Sequence, residues 1–196
     1  VVLITDAPQV VAHVETLFAR DYDLTHQDIL VGVDHLNPLP IGFVPITQTG
    51  GTTYTVRYPQ PVAFSGMVPF EIVQSPENSL RDADGLLGLV NRAGEDDVVL
   101  VQQLYERPFW GATSSNSTDD PNPRLEAYIN AARRGAYVRI LLDEFFDTAS
   151  AKNSNAVTCA TIRQIAVQEK LQIECALANP TGLGIHNKMV LAKIDD

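Results

Sequence analysis

The sequence predicts an α/β fold with a central mixed, mostly parallel sheet flanked by helices. Three observations predict it. After Pro69, apolar runs of strand length alternate with stretches of helical periodicity. The runs at 98–101, 137–142 and 173–177 are rich in Val, Ile and Leu, as suits strands inside a layered core. The helical stretches carry end signals, with Asn122-Pro123 before one of them and Arg133-Arg134-Gly135 after it.

Taken in order, Val1 to Ile4 is a short apolar strand, and Asp6-Ala7-Pro8 supplies an N-cap and a first-turn proline. Val10, Val11, Val14, Leu17 and Phe18 then recur at helical spacing and form a stripe to be packed against another element. A strand at the terminus with no element before it suits either a piece of a longer protein or a native edge strand. Residues 28–67 are punctuated by Pro and Gly, with β-leaning runs at Ile29–Val33 and Thr52–Tyr58, and read as a connecting segment with hairpin content.

Beyond it, Phe70–Val73 reads as a strand, and Ser75–Ser79 as a turn and cap before a helix sharing Leu80, Ala83, Leu87 and Val90 on one face. Gly85 and Gly88 in that helix are expected to permit close packing on the sheet. Val98–Val101 is a buried strand. A polar loop, Arg107–Pro121, follows; Tyr105, Glu106 and Trp110 near its start are candidates to line a substrate cleft. The next helix turns Leu125, Tyr128, Ile129 and Ala132 inward. Tyr137–Leu142 is a strand with Asp143-Glu144 at its carboxyl end, either an acid/base pair or a solvated turn. A helix from about Ser154 to Lys170, a strand at Ile173–Leu177, the connector Gly182-Leu183-Gly184 and a final strand at Met189–Leu191 complete the series.

Composition narrows the function. The 196 residues are 45% apolar and carry 24 acidic against 14 basic side chains, for a net charge of -10. An acidic surface repels phosphate backbones, which disfavours broad nonspecific nucleic-acid binding and leaves room for a local basic pocket. No run approaches the roughly 18 apolar residues of a membrane span, and no basic flank or cleavage pattern marks the start. The two cysteines, Cys159 and Cys175, are too few for a disulfide framework and lack zinc spacing. Cys159 falls on the apolar stripe of its helix and reads as a small core residue.

The chemistry concentrates in His186-Asn187-Lys188, just after the Gly-x-Gly connector and at a strand start. With side chains alternating by two, His186 and Lys188 point to the same side, about 6.6 Å apart along the strand. An imidazole serves as nucleophile or proton donor near neutral pH, and an adjacent ammonium holds an anion against it. On spacing alone the pair is either a phosphoryl-transfer site or a surface histidine beside a surface lysine; its place at a strand start after glycines favours the site. His13, His26 and His35 read as ordinary surface or turn residues.

On this motif the chain resembles part of the phospholipase D superfamily, whose signature is His-x-Lys, four residues and then Asp. Residues 1–23, ending Phe18-Ala19-Arg20-Asp21-Tyr22, are similar to the strand and helix that close the first half of a two-motif protein. Residues 70–196 are similar to the start of a second half: Ser75-Pro76 before a helix, Gln102-Gln103-Leu104-Tyr105 in the Val98–Glu106 strand, and Ala131–Gly135 before Val138–Leu142. The resemblance divides the chain into 1–27, the tail of a preceding half; 28–67, a β-rich connection; and 68–196, a second half truncated after the histidine motif. Where the family places its aspartate this chain has Lys193, with Asp195 and Asp196 following as the acids that would take that role.

The resemblance implies a phosphodiesterase acting on a phospholipid or nucleic acid through a phosphohistidine, without metal or cofactor. His186 would be the nucleophile or the acid to the leaving oxygen, and Lys188 would bind phosphate. It also implies a partner: a first-half motif elsewhere in a full-length chain, or a second copy in a homodimer, so that this segment alone is expected to be inactive. The substituted aspartate position keeps an alternative open, a degenerate member that binds phosphate or scaffolds partners without turnover.

Overall fold

The computed structural model describes residues 5–23, 71–73, 79–112, 114–179 and 184–195, with residues 25, 42, 60, 62, 63, 65–67, 69 and 182 between them. The chain divides into two compact units, Val2–Pro61 and Val62–Asp196. The expected strands at Val1–Ile4, Ile29–Val33 and Thr52–Tyr58 lie outside the described residues, as do His26 and His35.

In the first unit, helix α1 (Pro8–Asp21) begins at Ala7, which makes no side-chain cap; Asp6 does not cap it, and the Ala7 N–H is met instead by the Thr5 hydroxyl at 3.2 Å. Pro8 opens the first turn as expected. The apolar stripe is not buried: Val11, Val14 and Phe18 are 41%, 50% and 66% exposed, and Phe18 stacks on Tyr22 one turn later, centroids 5.5 Å apart. Periodicity records that a helix has a face to bury, not that the described residues cover it.

The second unit is α/β. Helix α2 (Gly85–Arg92) is followed by β1 (Val98–Gln103), α3 (Pro123–Arg133), β2 (Tyr137–Asp143), α4 (Asn155–Glu169), β3 (Ile173–Ala178) and β4 (Lys188–Lys193). The sheet is mixed, in the order β3-β2-β1-β4, with β1, β2 and β3 parallel and β4 antiparallel to β1. Crossovers through α3 and α4 generate the parallel pairs. Burial alternates along β1 and through most of β2: Val99, Val101, Val138, Ile140 and Leu142 are buried with Leu125, Tyr128, Ile129 and Ile162, while Arg139, Glu174 and Leu191 on the other face are exposed. The expected buried strand at Val98–Val101 is buried on one face, through Val99 and Val101, and half-buried on the other. Each large aliphatic side chain enclosed this way contributes about 1.5–3 kcal/mol.

Helix α3 matches its sequence signals. The Asn122 side chain accepts the Arg124 and Leu125 N–H groups at 3.1 and 3.4 Å, and Pro123 opens the helix. At its far end the Arg134 guanidinium donates to the carbonyls of Val90 and Ala93, 2.9 Å each, closing the carboxyl end of α2. Arg133 grips Glu169 of α4 with two 2.7 Å bonds.

Helix α2 departs from expectation. It starts at Gly85 instead of after Ser79, leaving Leu80 in an exposed turn. Gly85 has φ +60°, and a Cβ there would lie 2.8 Å from a Val73 methyl, so the break before it needs glycine. Glu71 accepts the Gly85 N–H at 2.9 Å. Glu71–Val73 therefore serve as a brace for the helix start and form no strand. Gly88 packs on the Ala83 backbone, and neither glycine approaches the sheet as expected.

Cys159 and Cys175 form a disulfide joining α4 to β3. Cys159 is buried as the stripe predicts, yet it is not a free core residue. The sequence does not reveal the pairing because the two positions meet only when α4 lies on β3.

Candidate functional site

The topology delivers the His-x-Lys segment to the carboxyl end of the parallel strands. Because β4 runs antiparallel to β1, its first residue, Lys188, pairs with the last residue of β1, Gln103. Ligand sites of open α/β sheets form beyond that end. A parallel β4 would have put the same residues at the opposite rim.

Three sets of bonds hold the segment there. The Leu104 N–H donates to the Asn187 carbonyl at 3.1 Å, and the Asn187 amide donates to Gln102 Oε1 at 3.1 Å. The buried Asp143 carboxylate accepts the Ile185 N–H through one oxygen and the Phe146 N–H through the other. Asn155, also buried, donates to the carbonyls of Leu104 and Asp143, 2.8 Å each, joining the ends of β1 and β2. Neither reading of Asp143-Glu144 as an acid/base pair or a solvated turn applies to Asp143. It is an internal brace, and only Glu144 is exposed.

His186 and Lys188 are both exposed and converge: Lys188 Nζ lies 3.4 Å from His186 Nδ1 and donates to the His186 carbonyl at 3.3 Å. β4 begins at Lys188, so His186 leads the strand instead of belonging to it. Phe146 meets the imidazole edge to face, centroids 6.4 Å apart, and backs the ring. Among the described residues Nε2 makes no hydrogen bond.

A cavity of about 410 Å³ opens beside Lys188, lined by Leu86, Gln103, Leu104, Tyr105, Arg124 and Val190. Of the three predicted cleft residues only Tyr105 lines it, with its hydroxyl donating to the Phe146 carbonyl at 3.0 Å. Glu106 is fully buried and accepts from Asn122 at 2.6 Å and from Arg124 at 3.1 Å. Burial holds its carboxyl above the usual range, against the opposing pull of Arg124 and Asn122. Trp110 presents its ring to Arg124, 5.5 Å from guanidinium carbon to centroid. Glu106 and Trp110 thus reach the cavity only through Arg124, a residue the sequence reading passed over. The signal was present: a cation in the first turn of a helix opposes the macrodipole, so something other than helix stability keeps it there.

Asp195 does not join the pair. It follows the far end of β4, where its N–H donates to Asp97 at 3.0 Å and its carboxylate pairs with Lys193 at 3.2 Å. Lys193 sits opposite Val98, five strand positions from Lys188 and so roughly 17 Å away. Asp196 lies outside the described residues. No family model, curated protein or solved structure matches the chain.

Proposed function

We propose that the protein is a phosphodiesterase of phospholipase D type whose His186 and Lys188 form one half of a two-histidine site. The observation that carries this reading is the convergence of the imidazole and the ammonium, Nδ1 to Nζ 3.4 Å, at the carboxyl edge of the sheet. An imidazole nitrogen attacks phosphorus, an N–P bond forms and the bond to one ester oxygen breaks. A second imidazole, from another motif of the polypeptide or from a second copy, gives that oxygen a proton. Water then attacks phosphorus, cleaves the N–P bond and returns the proton to the second imidazole. Lys188 neutralises charge on the phosphoryl oxygens throughout. The substrate is a phospholipid or nucleic-acid phosphodiester, and the net charge of -10 weighs against a long polyanion.

The second reading is anion binding without turnover, favoured by Lys193 at the aspartate position and by Asp195 being tied to Asp97. Both readings are tested on the full chain with a chromogenic phosphodiester and with acid-labile phosphate trapping at histidine. Turnover abolished by His186→Ala supports the enzyme. Phosphate binding that needs Lys188 without any turnover supports the binder. Turnover unchanged by His186→Ala defeats the enzyme assignment.

A further inference from the structure

We propose that the cavity beside Lys188 is a two-cation anion site, in which Arg124 holds a second anionic group of the ligand while Lys188 holds the phosphodiester. The inference deepens the reading above and rests on Lys188 as its phosphate cation. The ligand class is a compact phosphodiester bearing a further phosphate or carboxylate close to the first.

The first support is how Arg124 is held. It occupies the second position of α3, where the helix dipole opposes a cation. A fully buried carboxylate on one side and an indole face on the other keep it there. Burying Glu106 carries a desolvation penalty that one bond to Arg124 and one to Asn122 offset only in part, since its second oxygen has no partner among the described residues. What the arrangement achieves is a guanidinium of fixed orientation at a cavity wall.

The second support is donor arithmetic. A guanidinium has five N–H donors, and Arg124 commits one side-chain hydrogen bond, to Glu106. Its Nε is buried without a partner among the described residues, and the remaining N–H groups of its two terminal nitrogens suit a forked contact with carboxylate or phosphate oxygens, the geometry that sets arginine apart from lysine.

The third support is the cavity itself. Among the described residues Arg124 and Lys188 are its charged lining residues and no carboxylate lines it; Glu106 pairs with Arg124 from outside the lining, so a ligand with two anionic groups would meet both cations within the cavity. Leu86, Leu104 and Val190 supply apolar wall that lowers the local dielectric and strengthens the attraction. The volume, about 410 Å³, lies toward the low end of the roughly 300–1,000 Å³ of small-molecule sites, so the second anion must be close to the first.

Calorimetric titration of the full chain with inorganic phosphate and with pyrophosphate tests the proposal. Pyrophosphate is expected to bind about tenfold tighter, the gain from one added charge-assisted contact. Arg124→Gln is expected to erase that preference while leaving phosphate affinity in place. Because this variant leaves Glu106 buried against an amide, Arg124→Gln with Glu106→Gln repeats the test with a neutral, hydrogen-bonded pair. Glu106→Gln alone removes the competing carboxylate and is expected to tighten pyrophosphate several-fold without changing phosphate, a gain that a merely structural ion pair would not produce. Equal affinities in the wild type, or a preference surviving in the double variant, would overturn the site. If Lys188→Ala leaves phosphate binding intact, both this inference and the phosphodiesterase reading fall. A preference lost with Arg124 in a protein whose turnover ignores His186 leaves the anion site standing and removes only the catalytic reading.

Discussion

The Asp143 carboxylate accepts the backbone N–H of Ile185, 42 residues further along the chain, and so fastens the segment leading to His186 onto the end of β2. The same carboxylate takes the Phe146 N–H, which places the ring that backs the imidazole. One buried acid therefore sets both the histidine and its support. Asp143→Ala strips the buried Ile185 N–H and the part-buried Phe146 N–H of their acceptor and is expected to cost about 2–3 kcal/mol in urea unfolding. The imidazole resonances of His186 should shift in the same variant, whereas an unshifted ring would refute the bracing role.

Gly184 approaches that carboxylate closely. It has φ +79°, and a Cβ would lie 2.7 Å from both Asp143 Oδ1 and a Phe146 ring carbon. Gly184→Ala is expected to destabilise by about 1–3 kcal/mol through strain and contact together. Gly182, at φ +71° with open space around it, carries the strain alone. Gly182→Ala should therefore cost less, and equal losses in the two variants would contradict the contact.

The disulfide closes a loop spanning 16 positions between α4 and β3. On loop-closure entropy, reduction is expected to lower unfolding free energy by about 3 kcal/mol. A thiol reagent added to unreduced, denatured protein should find no free cysteine, and two reactive thiols would disprove the pairing.

Two carboxylates shift in opposite directions, which yields opposite pH slopes. Burial raises the Glu106 carboxyl, so its contribution is fullest below the unfolded value of about 4.3 and is lost as pH rises through the folded one. The N–H groups of Gly94 and Asp195 hold Asp97 below its ordinary value, so its contribution is present above about 3.9 and is lost as pH falls through the folded value. Relative to wild type, Glu106→Gln should therefore gain stability as pH rises, and Asp97→Asn should lose it. Chemical denaturation across roughly pH 3 to 7 reads both slopes, and slopes of one sign would refute the assignment.

Several elements are legible in the residues because their causes are local. Asn122-Pro123 caps α3 through its own side chain and ring, and Leu125, Tyr128 and Ile129 share a face by helical period alone. The strands at 98–103 and 137–143 follow from β-branched runs, and the His186/Lys188 pair follows from proximity in sequence. The start of α2 is not legible, because Gly85 answers to Val73 and Glu71, and their approach is not written in the helical period.

The sequence by itself determined the α/β character, the Asn122 cap of α3 and the union of one imidazole with one ammonium, all of which depend on residues a few positions apart. Only the tertiary structure decided where that union lies and what surrounds it. The antiparallel pairing of β4 with β1 carries Lys188 to Gln103 and leaves Asp195 at the opposite rim, and the packing of α3 brings Arg124 to the same cavity. Strand direction and helix packing are settled by contacts between segments tens of residues apart, and no local periodicity encodes them.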